Sequence, residues 1–310
     1  MTTALYTHPV FLEHNTGFGH PECADRLRVI EAALCALEFQ ELARKQAPEG
    51  QEVAILAVHP REHLDRVLHA IPKQGIQYLD GDTLVSPASG EAALRAVGAV
   101  CDAVDLVLGG GADNAFCAVR PPGHHAERNR AMGFCLFNNV AIAARYAQRC
   151  HEIERVAIVD FDVHHGNGTQ DIFAEDPTVL YASTHQMPLY PGTGYRREKG
   201  LGNIFNAPLH PADGGAAFQK AMNEIIFPAI DDFAPNLLLI SAGFDAHQAD
   251  PLASLNLIEA DFAWVTRELG AIAACHCAGK IISTLEGGYN LSALAESVAA
   301  HVSELMRCET

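Results

Sequence analysis

Two aspartates and two histidines stand close together directly after the apolar run 156–159: Asp160, Asp162, His164 and His165. Carboxylate oxygen and imidazole nitrogen both bind divalent zinc, and a catalytic zinc keeps three protein ligands and one open position. Alternate side chains of an extended chain point the same way, so Asp160, Asp162 and His164 are expected to face one pocket. A surface loop with incidental charges is the alternative, but so many ligand-type side chains in six positions favour a metal site.

Three further polar motifs also follow apolar runs, at 120–126 (RPPGHHA), 241–245 (SAGFD) and 286–290 (EGGYN). Ligands of open α/β sheets bind beyond the carboxyl ends of the strands. A single polar residue at a strand end would carry little weight, whereas four clusters in this position indicate that they meet at one edge of a sheet and form a site.

The elements that must position these motifs alternate along the chain. Strands are predicted at 115–119, 156–159, 179–182, 237–240 and 281–285, and helices at 90–108, 139–149, 215–232, 258–274 and 292–305. Apolar strands that alternate with helices predict an α/β fold with a central, mostly parallel sheet and helices on both faces. Because nothing in the sequence resembles a linker, residues 1–310 are expected to form a single domain.

The side chains of the four motifs are those that metal-assisted hydrolysis of an amide needs. Three of them would bind the metal: Asp162, His164 and Asp245. The metal would polarise a carbonyl group and activate a water molecule. One histidine of the pair His124 and His125 would take the water proton and return it to the leaving amine. Tyr289 would donate a hydrogen bond to the developing oxyanion, unless it is only a structural tyrosine before a helix.

Composition limits the partners and the compartment. The chain has 21 basic and 38 acidic residues and a net charge of -17, which argues against nucleic acid and suits a cationic amine or a lysine-bearing peptide.

Nine cysteines without a CxxC pair, and no signal peptide, predict a reducing cytoplasm. The segment Cys275-His276-Cys277 is expected to hold buried or half-buried thiols rather than a metal. No apolar run reaches the ~18 residues of a membrane span, so no membrane partner is expected.

The motifs together resemble the zinc-dependent histone deacetylase family. This superfamily includes class II histone deacetylases, bacterial histone deacetylase-like amidohydrolases, acetylpolyamine amidohydrolases and acetoin-utilisation proteins. The resemblance runs nearly end to end and rests on these segments: HPE at 20–22 with Arg26, DT at 82–83, RPPGHHA at 120–126, GFC at 133–135 with Asn138, DFDVHHGNGTQDIF at 160–173, PGTG at 191–194, SAGFDAH at 241–247, DPL at 250–252 and LEGGYN at 285–290. It implies an arginase/deacetylase-like fold and an amidohydrolase that removes an acetyl or short acyl group from a lysine side chain or similar primary amine.

The resemblance also implies a role for each matching position. The zinc ligands would be Asp162, His164 and Asp245. The catalytic group would consist of the general base His125, its companion His124, the orienting residues Asp160 and Asn167, and the carbonyl-polarising Tyr289. A structural potassium ion would be held by Asp160, Asp162, His164, Ser183 and Thr184, and a second monovalent ion by oxygens near Phe173, Asp176, Val179 and Asn203. Substrate contacts would come from the tunnel residues Gly133, Phe134 and Tyr190, the rim residue Asp82, the neighbouring Leu252, and Arg26 on an internal acetate channel.

Departures from the family's patterns narrow the subfamily. Asn167 stands where class I enzymes carry an aspartate, so an amide would orient His125 and its imidazolium form would be less favoured. Leu252 stands where class I enzymes have methionine, and Glu286 precedes the glycine pair, both of which resemble class II. Position 289 holds tyrosine rather than the histidine of some class II members, so activity on acetyl amides is expected.

Several alternatives stay open. Acetylpolyamine amidohydrolase is the nearest, although the short segment 127–132 and the absence of a glutamate at Leu252 favour an acyl-lysine substrate. A dimanganese ureohydrolase would need further bridging aspartates. A non-catalytic acyl-group binder is disfavoured by the intact His124, His125 and Tyr289. The acyl chain, its carrier and the oligomeric state are not determined by the sequence.

Overall fold

The computed structural model describes residues 2–308. Its strands, in chain order, are β1 (Thr3–Thr7), β2 (Ala43–Gln46), β3 (Gln77–Tyr78), β4 (Leu84–Val85), β5 (Asn114–Cys117), β6 (Val156–Asp160), β7 (Val179–Gln186), β8 (Ile204–Leu209), β9 (Leu237–Ala242) and β10 (Ile281–Leu285). The short β3 and β4 form an antiparallel pair by themselves. The other eight form one sheet in the order β2-β1-β5-β10-β9-β6-β7-β8.

Each neighbouring pair in this large sheet is parallel. The central strands β6 and β9 are buried along their whole length, as the apolar runs at 156–159 and 237–240 predict. At the two edges the sequence is less regular. The edge strand β2 (ARKQ) is polar and largely exposed, and the opposite edge strand β8 contains Pro208, which cannot donate to a ladder and is tolerated at an edge.

The helices, in chain order, are α1 (Asp25–Ala33), α2 (Glu52–Ile55), α3 (Arg61–His69), α4 (Ser89–Leu108), α5 (Asn139–Cys150), α6 (Asn167–Phe173), α7 (Gly215–Ala221), α8 (Phe227–Phe233), α9 (Glu259–Cys277) and α10 (Leu291–Leu305). The long helices pack in two groups, α4 with α5 and α10 with both α9 and α1. Both groups contact the sheet, so its central strands lie in the hydrophobic core.

The predicted helices are present, with two differences. The segment 215–232 is interrupted by a π turn at Met222–Ile226, directly before Pro228 in the first turn of α8. A π turn lets the helical path continue where proline removes a backbone donor. Helix α9 extends to Cys277, so the Cys-His-Cys segment forms its last turn. Cys277 is buried as predicted, but Cys275 is exposed, which corrects the prediction for that thiol.

Candidate active site

The four polar motifs follow β5, β6, β9 and β10, which are adjacent in the sheet order β5-β10-β9-β6. Since these strands are parallel, their carboxyl ends lie at the same edge. The prediction that the motifs meet at one edge of a parallel sheet agrees with this arrangement, and the sequence alone had placed each of them after its strand.

Asp162, His164 and Asp245 offer three ligand atoms that lie within 4.8 Å of one another. His164 Nδ1 is 3.2 Å from Asp162 Oδ1 and 3.1 Å from Asp245 Oδ2. The remaining carboxylate oxygens are held from behind, because the Gly287 N–H donates to Asp162 Oδ2 at 2.8 Å and the Val163 N–H donates to Asp245 Oδ1 at 2.9 Å. One oxygen of each aspartate and one imidazole nitrogen therefore converge on a common point.

The charges of this cluster call for a cation. Burial, reinforced by the charge of Asp162, raises the pKa of Asp245 to about 7. Burial alone would lower the pKa of His164, but its bonds to the two aspartates outweigh burial and raise that pKa to about 10. Two oxygens and one imidazole nitrogen form the donor set of a catalytic zinc with an open position. The residues fit a zinc ion, which would take the place of the His164 proton.

Gly287 packs directly against the carboxylates of Asp162 and Asp245, two of the candidate metal ligands. A Cβ atom at this position would lie 2.1 Å from Asp245 Oδ2 and 2.6 Å from Asp162 Oδ2, so no larger residue fits. The next residue, Gly288, has φ +121, a conformation that favours glycine. This turn of the chain brings Tyr289 to the pocket.

The paired histidines have different partners. His124 Nδ1 is 3.0 Å from Asp160 Oδ2, which also accepts a hydrogen bond from the Tyr181 hydroxyl at 3.0 Å. His125 Nδ1 is 2.8 Å from Asn167 Oδ1. The two rings are 4.0 Å apart between centroids. The orienting roles implied for Asp160 and Asn167 are consistent with these contacts.

These surroundings separate the protonation of the two imidazoles. Burial alone would lower the pKa of His124, but the charges of Asp162, Asp160 and Glu286 together outweigh it and raise that pKa. Burial lowers the pKa of His125, and the neighbouring His124 lowers it further. The pair therefore combines a charged imidazole with a neutral one that can accept a proton.

Glu286 accepts hydrogen bonds from the backbone next to the histidine pair, a role that the sequence did not indicate. Its Oε2 accepts the backbone N–H groups of Gly123 and His124 at 2.7 and 3.1 Å, and Ser241 donates to Oε1 at 3.2 Å. Burial raises the pKa of this carboxyl to about 7. Sequence comparison with class II enzymes marked Glu286 only as a subfamily feature.

A pocket of about 250 Å³ lies beside the candidate metal site and includes His164 in its lining. Its lining residues are Asp82, His125, Gly133, Phe134, His164, Leu189, Tyr190, Leu252 and Tyr289. Phe134 meets the Tyr289 ring edge-on at 5.9 Å, and Tyr190 meets His125 in the same way at 5.2 Å. Of these residues only Leu189 was not predicted. It has no chemical signal in the sequence beyond its place beside Tyr190.

Two backbone features bring the Phe134 wall close to the histidines. Gly133 and Phe134 have φ values of 55 and 69, in the left-handed region. A Cβ atom at Gly133 would lie 2.4 Å from the His125 ring carbon Cδ2, so glycine is required there. The GFC segment thus places an aromatic ring at the pocket while its backbone packs directly against His125.

Arg26 was expected to line an internal channel, and the structure places it behind Tyr289. Its side chain is fully buried, donates from Nε to the Gly288 carbonyl at 2.7 Å, and pairs with Glu22 at 3.1 Å. Its guanidinium carbon lies 5.0 Å from the centre of the Tyr289 ring. Burial and then Asp245 raise the pKa of Tyr289, so this phenol keeps the proton that it would donate to a carbonyl oxygen.

The two monovalent-cation predictions have different surroundings. Asp160 and Ser183 are direct neighbours across the β6 and β7 strands, and Thr184 is buried beside them. At the second predicted site, the side-chain nitrogen of Asn203 lies 2.8 to 2.9 Å from three main-chain oxygens, those of Phe173, Asp176 and Val179. The nitrogen, rather than an oxygen, of Asn203 faces these carbonyl groups, so Asn203 contributes no side-chain oxygen to an ion there.

The fold and the site define a parallel α/β protein in which a candidate metal site, a histidine pair and a tyrosine lie at one edge of the sheet. The model of the histone deacetylase domain matches residues 20–305. Histone deacetylase 14, chloroplastic, of Arabidopsis thaliana is 38% identical over 95% of this chain and 74% of its own length. The probable deacetylase of Archaeoglobus fulgidus is 39% identical over 94% of this chain and 82% of its own.

A solved structure, that of the HDA15 HD domain, superimposes with a TM-score of 0.93 at 36% identity and covers 100% of this chain and 91% of the other. The chain belongs to the histone deacetylase family, which confirms both the family and the fold predicted from the motifs. Membership of this family supports a hydrolytic deacetylase activity. Among residues 2–308, no helix combines the length and the apolar character that crossing a membrane requires.

Proposed function

We propose that this protein is a zinc-dependent amidohydrolase that removes an acetyl or short acyl group from a lysine side chain. The observation that carries the proposal is the convergence of three groups on one pocket. His164, His125 and Tyr289 all line the same 250 Å³ pocket, and the other two candidate zinc ligands, Asp162 and Asp245, lie next to His164. Hydrolysis of an amide uses each of them.

Zinc held by Asp162, His164 and Asp245 would supply Lewis acidity to the carbonyl group and to water. His125, whose Nδ1 bonds to Asn167, would use Nε2 to take a proton from the attacking water. The proton would then go to the amine nitrogen as the bond from carbon to nitrogen breaks. The phenol of Tyr289 would donate to the carbonyl oxygen as negative charge develops on it.

The shape of the pocket supports an acyl-lysine rather than an acetylpolyamine substrate. Phe134 and Tyr190 line a largely apolar pocket, which suits the methylene stem of lysine. Leu252 is a lining residue and carries no charge, so that position offers nothing to the distal ammonium of a polyamine. Asp82 is the carboxylate among the lining residues outside the metal cluster, and it would hold the backbone of a peptide.

The proposed cofactors are one catalytic zinc and one structural potassium ion. Support for potassium comes from the buried carboxylate of Asp160, which lies beside Ser183 on the neighbouring strand, and from the resemblance to the family. For the second monovalent ion, the orientation of Asn203 gives less support, because its nitrogen faces the three carbonyl groups.

The proposal is tested by offering the zinc-loaded protein an acetyl-lysine peptide, acetylputrescine, acetylspermidine and arginine. We expect the peptide to be hydrolysed with the highest kcat/KM. Tyr289→Phe should lower kcat by about 100-fold, whereas the matched variant Tyr195→Phe, at a surface tyrosine that is 41% exposed, should not. A higher kcat/KM for acetylpolyamines would favour that alternative. Binding of the peptide without cleavage of any amide would contradict the enzymatic proposal.

A further inference from the structure

Asn167 orients the proposed base His125, and an amide is an ambiguous partner for an imidazole. A carboxylate can only accept a hydrogen bond, whereas an asparagine side chain accepts at Oδ1 and donates at Nδ2. If the amide were turned by 180°, it would donate to His125 Nδ1 and favour the tautomer whose proton is on Nε2. That tautomer could not take a proton from water, so some other group must fix the amide.

We infer that Glu127 is a positioning residue for catalysis, which sets the tautomer of His125 through Asn167. The inference rests on the proposed function, because it concerns the base of that reaction. Asn167 Nδ2 donates to Glu127 Oε1 at 2.8 Å and also lies 3.4 Å from the sulfur of Met132. Both partners are acceptors, so the amide nitrogen faces them and Oδ1 faces His125.

This orientation determines where the imidazole proton lies. Asn167 Oδ1 accepts at 2.8 Å from His125 Nδ1, which must therefore carry the hydrogen. His125 Nε2 then has a free lone pair, and His125 lines the pocket. Hydrogen bonds thus run from Glu127 to Asn167 and from Asn167 to His125. Through them, the asparagine orients the imidazole as a directly bonded carboxylate would.

The position of Glu127 suits this role and no direct role in the reaction. Glu127 is half-buried and does not line the substrate pocket. It lies in a tight turn, where its N–H donates to the Arg130 carbonyl at 2.9 Å. The Arg128 N–H donates to Asp171 Oδ2 at 3.0 Å, so the turn is also tied to α6, the helix that begins at Asn167. Glu127 and Asn167 are therefore held at a fixed separation.

The first test removes the carboxylate. Glu127→Ala should lower kcat by about 10-fold, which is the lower end of the range for partners that act through another residue. KM should change little, because Glu127 does not touch the substrate. Glu127→Gln keeps an acceptor oxygen and should lose less activity. Glu175→Ala removes an exposed carboxylate just beyond α6 and should match the parent protein. Equal kcat for Glu127→Ala and the parent protein would overturn the inference.

The second test exchanges the two side chains. Asn167→Asp brings two carboxylates together across a contact that is now 2.8 Å, so this variant should lose activity. Adding Glu127→Gln supplies a donor to the new aspartate, which can then accept from His125 directly, and kcat should recover by about 10-fold over the single variant. Loss that persists unchanged in the double variant would contradict the chain of bonds.

A third measurement does not depend on turnover. The ¹⁵N chemical shifts of His125 in the metal-free protein should show a protonated Nδ1 in the parent and a mixture of tautomers in Glu127→Ala. A single, unchanged tautomer in Glu127→Ala would overturn the inference even if activity falls. Since these shifts are read without substrate or metal, failure of the proposed function would leave this result interpretable by itself.

Discussion

The carboxylate of Asp250 links two residues on the wall of the pocket, because Oδ2 accepts the backbone N–H of Tyr289 at 2.7 Å and Oδ1 accepts that of Leu252 at 2.9 Å. The Asn290 N–H adds a longer bond to Oδ2 at 3.3 Å. Asp250 therefore sets the backbone that carries the proposed oxyanion donor, although it lies outside the pocket lining.

Replacing Asp250 should lower the rate through Tyr289. We expect Asp250→Ala to reduce kcat by about 10-fold, less than the ~10² attributed to loss of the phenol itself. Asp250→Asn retains an acceptor oxygen and should lose less. In a Tyr289→Phe background, Asp250→Ala should lower kcat little further, because the hydroxyl group that Asp250 positions is already absent. Fully additive losses in the double variant would show that Asp250 acts by another route.

Zinc binding should stabilise the fold and release a proton. Without metal, the carboxylates keep the pKa of His164 at about 10, so this imidazole is charged at pH 7 and must lose its proton to become a ligand. Titration calorimetry in buffers of different ionisation enthalpy measures the release, expected at pH 7 to be about one proton from His164 and about half a proton from Asp245, whose pKa is about 7. Zinc at 100 times Kd should add about 2.7 kcal/mol of stability. Asp245→Ala, which removes a candidate ligand, should abolish both effects. Asp171→Ala, which removes an exposed carboxylate, should abolish neither.

Glu22 should be essential for stability, since it is the carboxylate between two buried arginines, Arg26 and Arg120. Burial alone would raise its pKa, but Arg120 and the other cations outweigh burial and lower it. Glu22→Gln leaves the guanidinium charges without a counterion and should cost about 3–5 kcal/mol in urea unfolding. The exposed carboxylate of Asp25 serves as the control, and Asp25→Asn should change stability little. A loss below about 1 kcal/mol for Glu22→Gln would contradict this.

The stability of the protein should fall below pH 6.5, partly because of His301. Burial lowers its pKa from 6.5 to about 3, so the folded state keeps it neutral while the unfolded state binds a proton. Its contribution is complete above pH 6.5 and is lost as pH falls toward 3, by up to ~1.4 kcal/mol per pH unit. His301→Gln should make the dependence of unfolding free energy on pH shallower by one proton between pH 6 and 4. An unchanged slope in His301→Gln would refute the assignment.

The sequence was a good guide to the central strands and to the chemical groups of the site. The runs at 156–159 and 237–240 are buried on both faces, so their apolar pattern directly reports their environment. The edge strands β2 and β8 were missed because an edge needs no continuous apolar run and tolerates charge or proline. The inner strand β1 was also missed, since its short apolar stretch has a threonine at each end. Ligand types such as Asp162 and His164 were recognisable because metal chemistry restricts the choice of residue.

Residues that act on backbone were not recognisable in the same way. Glu286 and Asp250 hold main-chain N–H groups that are distant in sequence, over 163 and 39 positions for Gly123 and Tyr289. Any acidic residue in a loop could have served, and only the folded arrangement of the loops shows which one does. Glu127 has the same character, because its partner Asn167 is brought to it by the start of α6.

We propose that one zinc ion per chain, held by Asp162, His164 and Asp245, supports hydrolysis of an acyl amide. The most direct test of this proposal is a zinc titration of chelator-treated protein with an acetyl-lysine peptide as substrate. We predict that activity is absent without metal, rises with added zinc and reaches its plateau at one ion per chain. Full activity in the metal-free protein, or a plateau at two ions per chain, would contradict a single catalytic zinc.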